Sequence, residues 1–304
     1  MKRSSMISGL VTRAIENNPQ LIGLEDVVEK EIVHHELLYI LHNEGFLEHL
    51  TFIGGTALRL CHGSNRLSED LDFTGGAHFS PKDFSSLSAD IESNLQNKFM
   101  LDVNVREPVI DRGDTSTWKV TIIKNPKRPD LPSQKMHIDI CRYDSFDKVR
   151  RPAKNFYEVI SPIEGFPIPV QSTKEILADK LIALAFRERR IKPRDVWDLA
   201  WLNQQNVPIE ASLVEKKLEM RGKTQDEFLD NLEIHRGFIL ASPETKSDFE
   251  REMSRFVPKD IRERTLNRTE FWPYVGDTIA SQIDTIEAAL TSGKSNSHDS
   301  DMSM

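Results

Sequence analysis

The chain of 304 residues, 38% of them hydrophobic, is long enough for one large or two ordinary domains around a sizeable core. A formal net charge of -8 excludes a general nucleic-acid coat protein, and two distant cysteines, Cys61 and Cys141, with no CxxC and no cysteine-histidine spacing, exclude a zinc site. No run approaches the ~20 apolar residues of a membrane span and the amino terminus lacks the apolar core of a signal peptide, so a cytoplasmic protein with reduced thiols and no membrane contact is expected.

In chain order, Val27, Val28, Ile32, Leu37, Leu38, Ile40 and Leu41 recur at near-helical spacing between Leu24 and Leu50, with Gly45 as a terminator. They predict a helix leading into a strand from Leu50 to Ile53. Gly54 and Gly55 permit a tight or left-handed turn, and Thr56 can cap a helix running through Ala57, Leu58 and Leu60. Ser80, before Pro81, is a second N-cap signal, for an amphipathic helix over SPKDFSSLSADIESNLQNKF. Leu101 to Glu107, Ser116 to Lys124 and Gln134 to Arg142 alternate apolar and polar residues or are β-branched, and predict three strands of a mixed sheet. SPIEGFPIPVQS, with three prolines and one glycine, reads as a connection between domains. From Ser172 to about Leu290 helical patterns dominate, and the polar end TSGKSNSHDSDMSM reads as a disordered tail. The expected architecture is α+β: an α/β domain over residues 1–165, a helical domain over 166–290 and a tail over 291–304.

The chemistry concentrates in FIGGTALRLCHGSNRLSEDLDF. A glycine turn entering a helix exposes backbone N–H groups at the positive end of the helix dipole, a setting that suits phosphate. Asp70 and Asp72, separated by Leu71, point to one face of a strand while Leu71 and Phe73 face the core. Two acids on one face repel unless a cation lies between them, and Mg²⁺ takes such oxygen ligands together with substrate phosphates. Two-metal phosphoryl transfer calls for a third carboxylate, and Asp139, between Ile138 and Ile140 in a buried pattern, supplies one. Ser68, two residues before Asp70, would share that face, so a phosphate group on it would stand against the nucleotide.

A second cluster lies in STKEILADKLIALAFRERRIKPRDVWDLAWL. Ser172 or Thr173 caps a helix with Ile176, Leu177, Leu181, Leu184 and Ala185 on one face, and Lys180 lies beside that stripe within reach of a triphosphate. Pro193 ends the helix, and the next carries Asp195 and Asp198 three residues apart. Asp195 reads as an ion-pairing or capping residue between the helices. Two basic islands, KVRRPAK and RERRIKPR, offer Arg150, Arg151, Arg187, Arg189 and Arg190 as contacts for a polyanion, against the plain alternative of solvated faces.

Taken together, GGTALRL…RLSEDLDF, KEILADKLIAL and KPRDVWDLAWL resemble the AbiEii/AbiGii toxin family of nucleotidyltransferases, the toxin half of bacterial type IV toxin-antitoxin and phage abortive-infection systems. The resemblance spans roughly Val28 to Leu202, and VEKE (Val28 to Glu31) looks like the family's EKD signature with Glu31 in place of Asp. It implies a DNA polymerase β-like nucleotidyltransferase domain followed by a helical region. It also implies that Gly54, Gly55 and Thr56, with Ser68 nearby, hold nucleotide phosphates, that Asp70 and Asp72 bind Mg²⁺ or Mn²⁺, that Lys180 contacts the triphosphate, and that Asp198 is the acid of the last motif. Asp139 rests on the strand pattern. The expected reaction is transfer of a nucleoside monophosphate from an NTP to an RNA hydroxyl, with the tRNA 3′ end the leading acceptor and an antitoxin as partner. Two alternatives stand beside it: small-molecule transfer of the aminoglycoside type, and a non-catalytic nucleotide-sensing or partner-binding protein.

Overall fold

A computed structural model describes residues 6–109, 113–124, 133–187 and 190–301. The chain forms two compact units, Met1–Gln171 with Phe256–Asp260, and Ser172–Arg255 with Ile261–Met304. The boundary thus falls just after residue 171, and five residues from far down the chain return to the first unit.

In the first unit α1 (Met6–Asn17) and α2 (Glu25–Asn43) precede β1 (Thr51–Ile53). The expected helix stops at Asn43; Gly45, at φ 78°, adopts the left-handed conformation and Phe46–His49 make a 3-10 turn into the strand. After β1, α3 (Gly54–Ala57) continues as a π-type turn to His62, and an irregular loop leads to β2 (Leu71–Thr74). Ser80 accepts the Lys82 N–H and so caps a 3-10 turn (Pro81–Phe84), whereas α4 itself begins at Leu87 and runs to Phe99. The chain then gives β3 (Asp102–Arg106), β4 (Thr115–Ile123), β5 (Gln134–Cys141), β6 (Lys148–Pro152) and β7 (Pro167–Gln171).

These make one mixed seven-stranded sheet in the order β3-β4-β5-β2-β1-β7-β6. The pairs β2–β5 and β1–β7 are parallel and the others antiparallel. β4 and β5 show strict alternation of buried and less buried residues, with Trp118, Val120, Met136, Ile138 and Ile140 facing the core. Phe52 and Phe73, paired in register, stack at 4.9 Å in the centre of the sheet. α2 is buried on nearly every side, so its polar residues Glu31, His34 and His35 are also withdrawn from water.

Two of the strands lie outside the sequence expectation. β6 is the first basic island, and β7 is the proline-rich stretch read as a connection. β7 tolerates Pro167 and Pro169 because its parallel pairing with β1 is confined to Phe52 and Val170, so few of its N–H groups are needed on that side.

The second unit contains α5 (Thr173–Ala185), α6 (Pro193–Gln204), α7 (Ala211–Met220), α8 (Gln225–Ala241) and α9 (Pro243–Met253). α10 (Lys259–Arg264) begins in residues of the first unit, and α11 (Phe271–Asp301) belongs to the second. No strand occurs among its described residues. Ser172, Thr224 and Ser242 cap α5, α8 and α9 with side-chain oxygens. Leu181, Leu199, Phe228, Leu232, Ile279 and Ile283 fill its core, with Trp197, Phe249 and Phe271 as an aromatic cluster. α11 continues past Leu290, where a tail is expected to begin, to Asp301.

Candidate active site

The register of β2 and β5 sets the first part of the site. Asp72 pairs with Asp139 on the neighbouring parallel strand, so the two half-buried carboxylates share one face of the sheet, as the alternation pattern predicts. Thr117, opposite Asp139 on β4, donates its hydroxyl to Asp139 Oδ1 at 2.6 Å. Asp70 stands one residue before β2 begins, and its Oδ1 accepts the His137 N–H at 3.0 Å, with His137 Nδ1 at 3.5 Å. Asp70 therefore closes the parallel ladder. Among the described residues no three His, Cys, Asp or Glu side chains gather into a metal-holding group, so the expected triad of Asp70, Asp72 and Asp139 is not a closed cage. Thr117 and His137 are absent from the sequence expectation, and the only signal for them is their strand alternation with Asp139.

The glycine turn lies against this acidic face. Gly54 has φ +75°, and a Cβ there would meet Asp72 Oδ2 at 2.7 Å and Asp72 Cγ at 3.2 Å. A side chain at residue 54 would be strained in its own backbone and would push on the metal-ligand candidate. A Cβ on Gly55 would run into the buried Arg66 guanidinium. The two glycines are thus explained by what approaches them, Asp72 at Gly54 and Arg66 at Gly55.

Thr56 and Ser68 differ from expectation. The N-cap of α3 is Ile53, and Thr56 lies inside the helix with its buried hydroxyl against Ser68 Oγ at 2.7 Å and the Asp70 carbonyl. Ser68 is in the loop before β2, buried, so it does not share a strand face with the two aspartates. Its hydroxyl is occupied by Thr56 and its N–H by Glu31 Oε1 at 2.8 Å, which places it in the support of the acid strand.

Glu31 is fully buried, and its other oxygen, Oε2, accepts from Arg59 Nε at 3.2 Å and from the Tyr157 hydroxyl. Arg59 also donates to the Ser64 carbonyl at 2.9 Å and lies over the Phe156 ring at 3.6 Å. Burial opposes charge on Arg59, yet Glu31 holds its guanidinium above the usual range, and burial beside Glu31 pushes the Tyr157 hydroxyl well above 10.0. On the same helix Lys30 Nζ pairs with Glu69 Oε1 at 2.7 Å, and His34 Nε2 lies 3.0 Å from the Glu69 carbonyl. Burial lowers His34 to about 3, so the ring is neutral and donates from Nε2.

In the second unit Lys180, on α5, places its ammonium 2.6 Å from Asp195 and 2.8 Å from Asp198, both buried on α6. Arg187 adds a contact to Asp195 at 2.8 Å. Burial raises the cost of charge on Asp195, but Lys180 outweighs it and holds the carboxyl well below the ordinary carboxylate range. Asp195 is an ion-pairing residue between helices, as its position in the sequence suggests. A second buried network, Lys217 with Glu175 and Asp179 at 2.8 Å each, ties α7 to α5.

The arginine islands divide. Arg190 lies 3.5 Å from Asp248 and 3.3 Å from Glu252, so Arg187 and Arg190 are both engaged by acids of their own unit, while Arg189 lies outside the described residues. Arg150 and Arg151 are exposed on opposite faces of β6. Arg150 borders a cleft of about 550 Å³ at the Thr51/Thr74 end of β1 and β2, away from the Ile53/Asp72 end that bears the acids.

Among solved structures, the chain is similar to MenT4, a nucleotidyltransferase toxin from Mycobacterium tuberculosis, at 17% identity and a TM-score of 0.53, covering 90% of this chain and 88% of that one. It also aligns with a putative nucleotidyltransferase from H. pylori at 18% identity and a TM-score of 0.49, covering 86% of this chain and 98% of that one. The first likeness supports the fold. Among curated proteins none matches. A family model described as nucleotidyl transferase AbiEii toxin, type IV TA system, matches residues 36–280, well past the Leu202 at which sequence resemblance ends. With the match covering most of its length, the chain belongs to the AbiEii family of nucleotidyltransferase toxins.

Proposed function

We propose that this toxin transfers a nucleoside monophosphate from an NTP to an RNA hydroxyl in a Mg²⁺-dependent reaction, with the tRNA 3′ end as the leading acceptor and a cognate antitoxin as its partner. The observation that carries this reading is the in-register pair Asp72 and Asp139, with Asp72 packed against Gly54. The donor set fits Mg²⁺, which takes one or two carboxylates and completes its shell with substrate phosphates and water, so a closed protein cage is not required. When bound, the ion polarises phosphate oxygens and lowers the pKa of the attacking group.

The chain's own residues supply orientation. Asp70 and Asp72 would hold the ion, and Asp139, fixed by Thr117, would orient the acceptor hydroxyl and draw its proton. The hydroxyl oxygen bonds to the α-phosphorus, the α–β anhydride bond breaks, and pyrophosphate leaves. Lys180, expected to counter triphosphate charge, is paired with Asp195 and Asp198 inside its own unit, so the proposal rests on the sheet residues alone. Family membership supports nucleotidyl transfer and the antitoxin partner, and no helix of the described residues is long and apolar enough to cross a membrane.

The test is incubation with Mg²⁺, each ribonucleoside triphosphate labelled at its α-phosphate, and total tRNA, beside an Asp72→Ala control. Label on tRNA from wild type alone is the expected result. Label on a small molecule but not on RNA would establish small-molecule transfer instead, and nucleotide binding with no transfer would return the chain to a sensing role.

A further inference from the structure

One face of α2 grips the segment that delivers the acids. Lys30, Glu31 and His34 are spaced to project from the same side of a helix. Their contacts fall on two successive residues: Glu31 Oε1 takes the Ser68 N–H at 2.8 Å, Lys30 holds the Glu69 carboxylate at 2.7 Å, and His34 meets the Glu69 carbonyl at 3.0 Å. Asp70 follows at once. The stretch from Gly63 to Asp70 is neither helix nor strand, so its course depends on such anchors. Further anchors are the Arg59 donation to the Ser64 carbonyl and a Leu67 N–H bond to the Phe256 carbonyl at 2.8 Å.

We propose that Glu31 is a positioning residue: through Ser68 it sets where Asp70 stands relative to Asp72 and Asp139. The three acids are held differently. Asp139 lies within an eight-residue strand paired on both edges and Asp72 is likewise paired on both edges of β2, whereas Asp70 comes from the loop before it. A buried ion pair adds little net stability over an apolar side chain of the same volume, so the gain from Glu31 is geometric. Both of its carboxylate oxygens are in use as acceptors, one for the loop and one for Arg59 and Tyr157. Glutamine has the same reach but a single acceptor oxygen. With that oxygen on Arg59, its NH₂ faces the Ser68 N–H, donor against donor, and the loop is released.

The proposal rests on Asp70 and Asp72 being metal ligands, and the test separates the two ideas. Mn²⁺ affinity is measured on the full chain by calorimetry, and amide exchange over residues 67–70 by mass spectrometry. The variants are Glu31→Gln, Lys30→Met, and Leu95→Ala on α4 as a control of comparable destabilisation. Glu31→Gln is expected to weaken Mn²⁺ binding about tenfold and to speed exchange at Ser68, because a buried hydrogen bond to a carboxylate is lost. Lys30→Met, at a half-buried surface pair that the fold tolerates, is expected to weaken it about threefold. Leu95→Ala should change neither reading. Unchanged affinity and exchange in the first two variants, or an equal loss in the control, would overturn the proposal. If wild type binds no Mn²⁺, the metal assignment fails, and faster exchange at Ser68 in Glu31→Gln, or its absence, still decides whether the clamp exists.

Discussion

Asp139 and Asp195 are both drawn back from water, yet one accepts a threonine hydroxyl and the other an ammonium and a guanidinium. Among the described residues no Lys or Arg stands within ion-pair distance of Asp139 or Asp70, while Asp195 and Asp198 share Lys180. The same residue type therefore does two things in this chain. In the helical unit the charge is matched internally and fastens two helices. On the sheet Asp139 is oriented by a neutral hydroxyl, which leaves its charge available to a cation from outside.

Substitutions that remove each kind of charge should separate the regions most widely. Asp139→Asn is expected to cut transfer about a thousandfold, the several kcal/mol of a metal-assisted step, while leaving the melting temperature within error. Equal loss of stability would place Asp139 with the structural acids. Asp195→Asn should act in the opposite sense, costing about 3 kcal/mol of stability in a denaturant titration by leaving a buried cation short of a partner. Gly54→Ala tests the contact between turn and acid. The strained backbone and the clash with Asp72 should cost about 2 kcal/mol and lower Mg²⁺-dependent activity far more than the stability loss explains. If Asp72 tolerates the methyl group, Mg²⁺ half-saturation will not move.

Acid titration sharpens the comparison by pH window. His34 and His35 have folded pKa values lowered from 6.5 to about 3 and about 4 by burial, so the unfolded chain binds their protons first. Their stabilisation is complete above pH 6.5 and is lost as pH falls, by about 1.4 kcal/mol per pH unit for each ring. Asp195 contributes fully above its ordinary value of 3.8 and is lost only below it. Stability measured from pH 7 to pH 3 should fall in the first unit before the second, and His34→Gln should flatten the upper part of the curve. The smallest effect is expected for the arginines. Arg150→Ala with Arg151→Ala should lower the salt slope of RNA binding by up to about two, and Arg187→Ala with Arg190→Ala by less, since both are already engaged by acids.

That Asp72 and Asp139 belong on one face is legible in the sequence because strand alternation fixes a face: β5 alternates throughout, and β2 does so from Leu71 to Phe73. Register is a harder matter, since any even shift would keep both acids on that face. The glycines are legible as a turn but not as a floor for Asp72, a contact made only once β1 and β2 pair. β7 is hidden by its prolines, which mark a break in local terms and are tolerated because of what lies on each edge. Glu31 shows in the sequence as the last residue of VEKE, similar to a family signature but without an assigned role. Its partners come from the loop before β2 and from Tyr157, so no local pattern could have assigned them.

The bond from Leu67 to the Phe256 carbonyl has a meaning for the order in which the protein is made. When residues up to Gln171 have left the ribosome, all seven strands exist, but Phe256–Asp260 has not been synthesised. The loop that carries Asp70 thus gains its last backbone tie only after most of the helical unit has emerged. A growing chain lacks that tie, and the loop has all of these anchors in place only once Phe256 has joined the first unit.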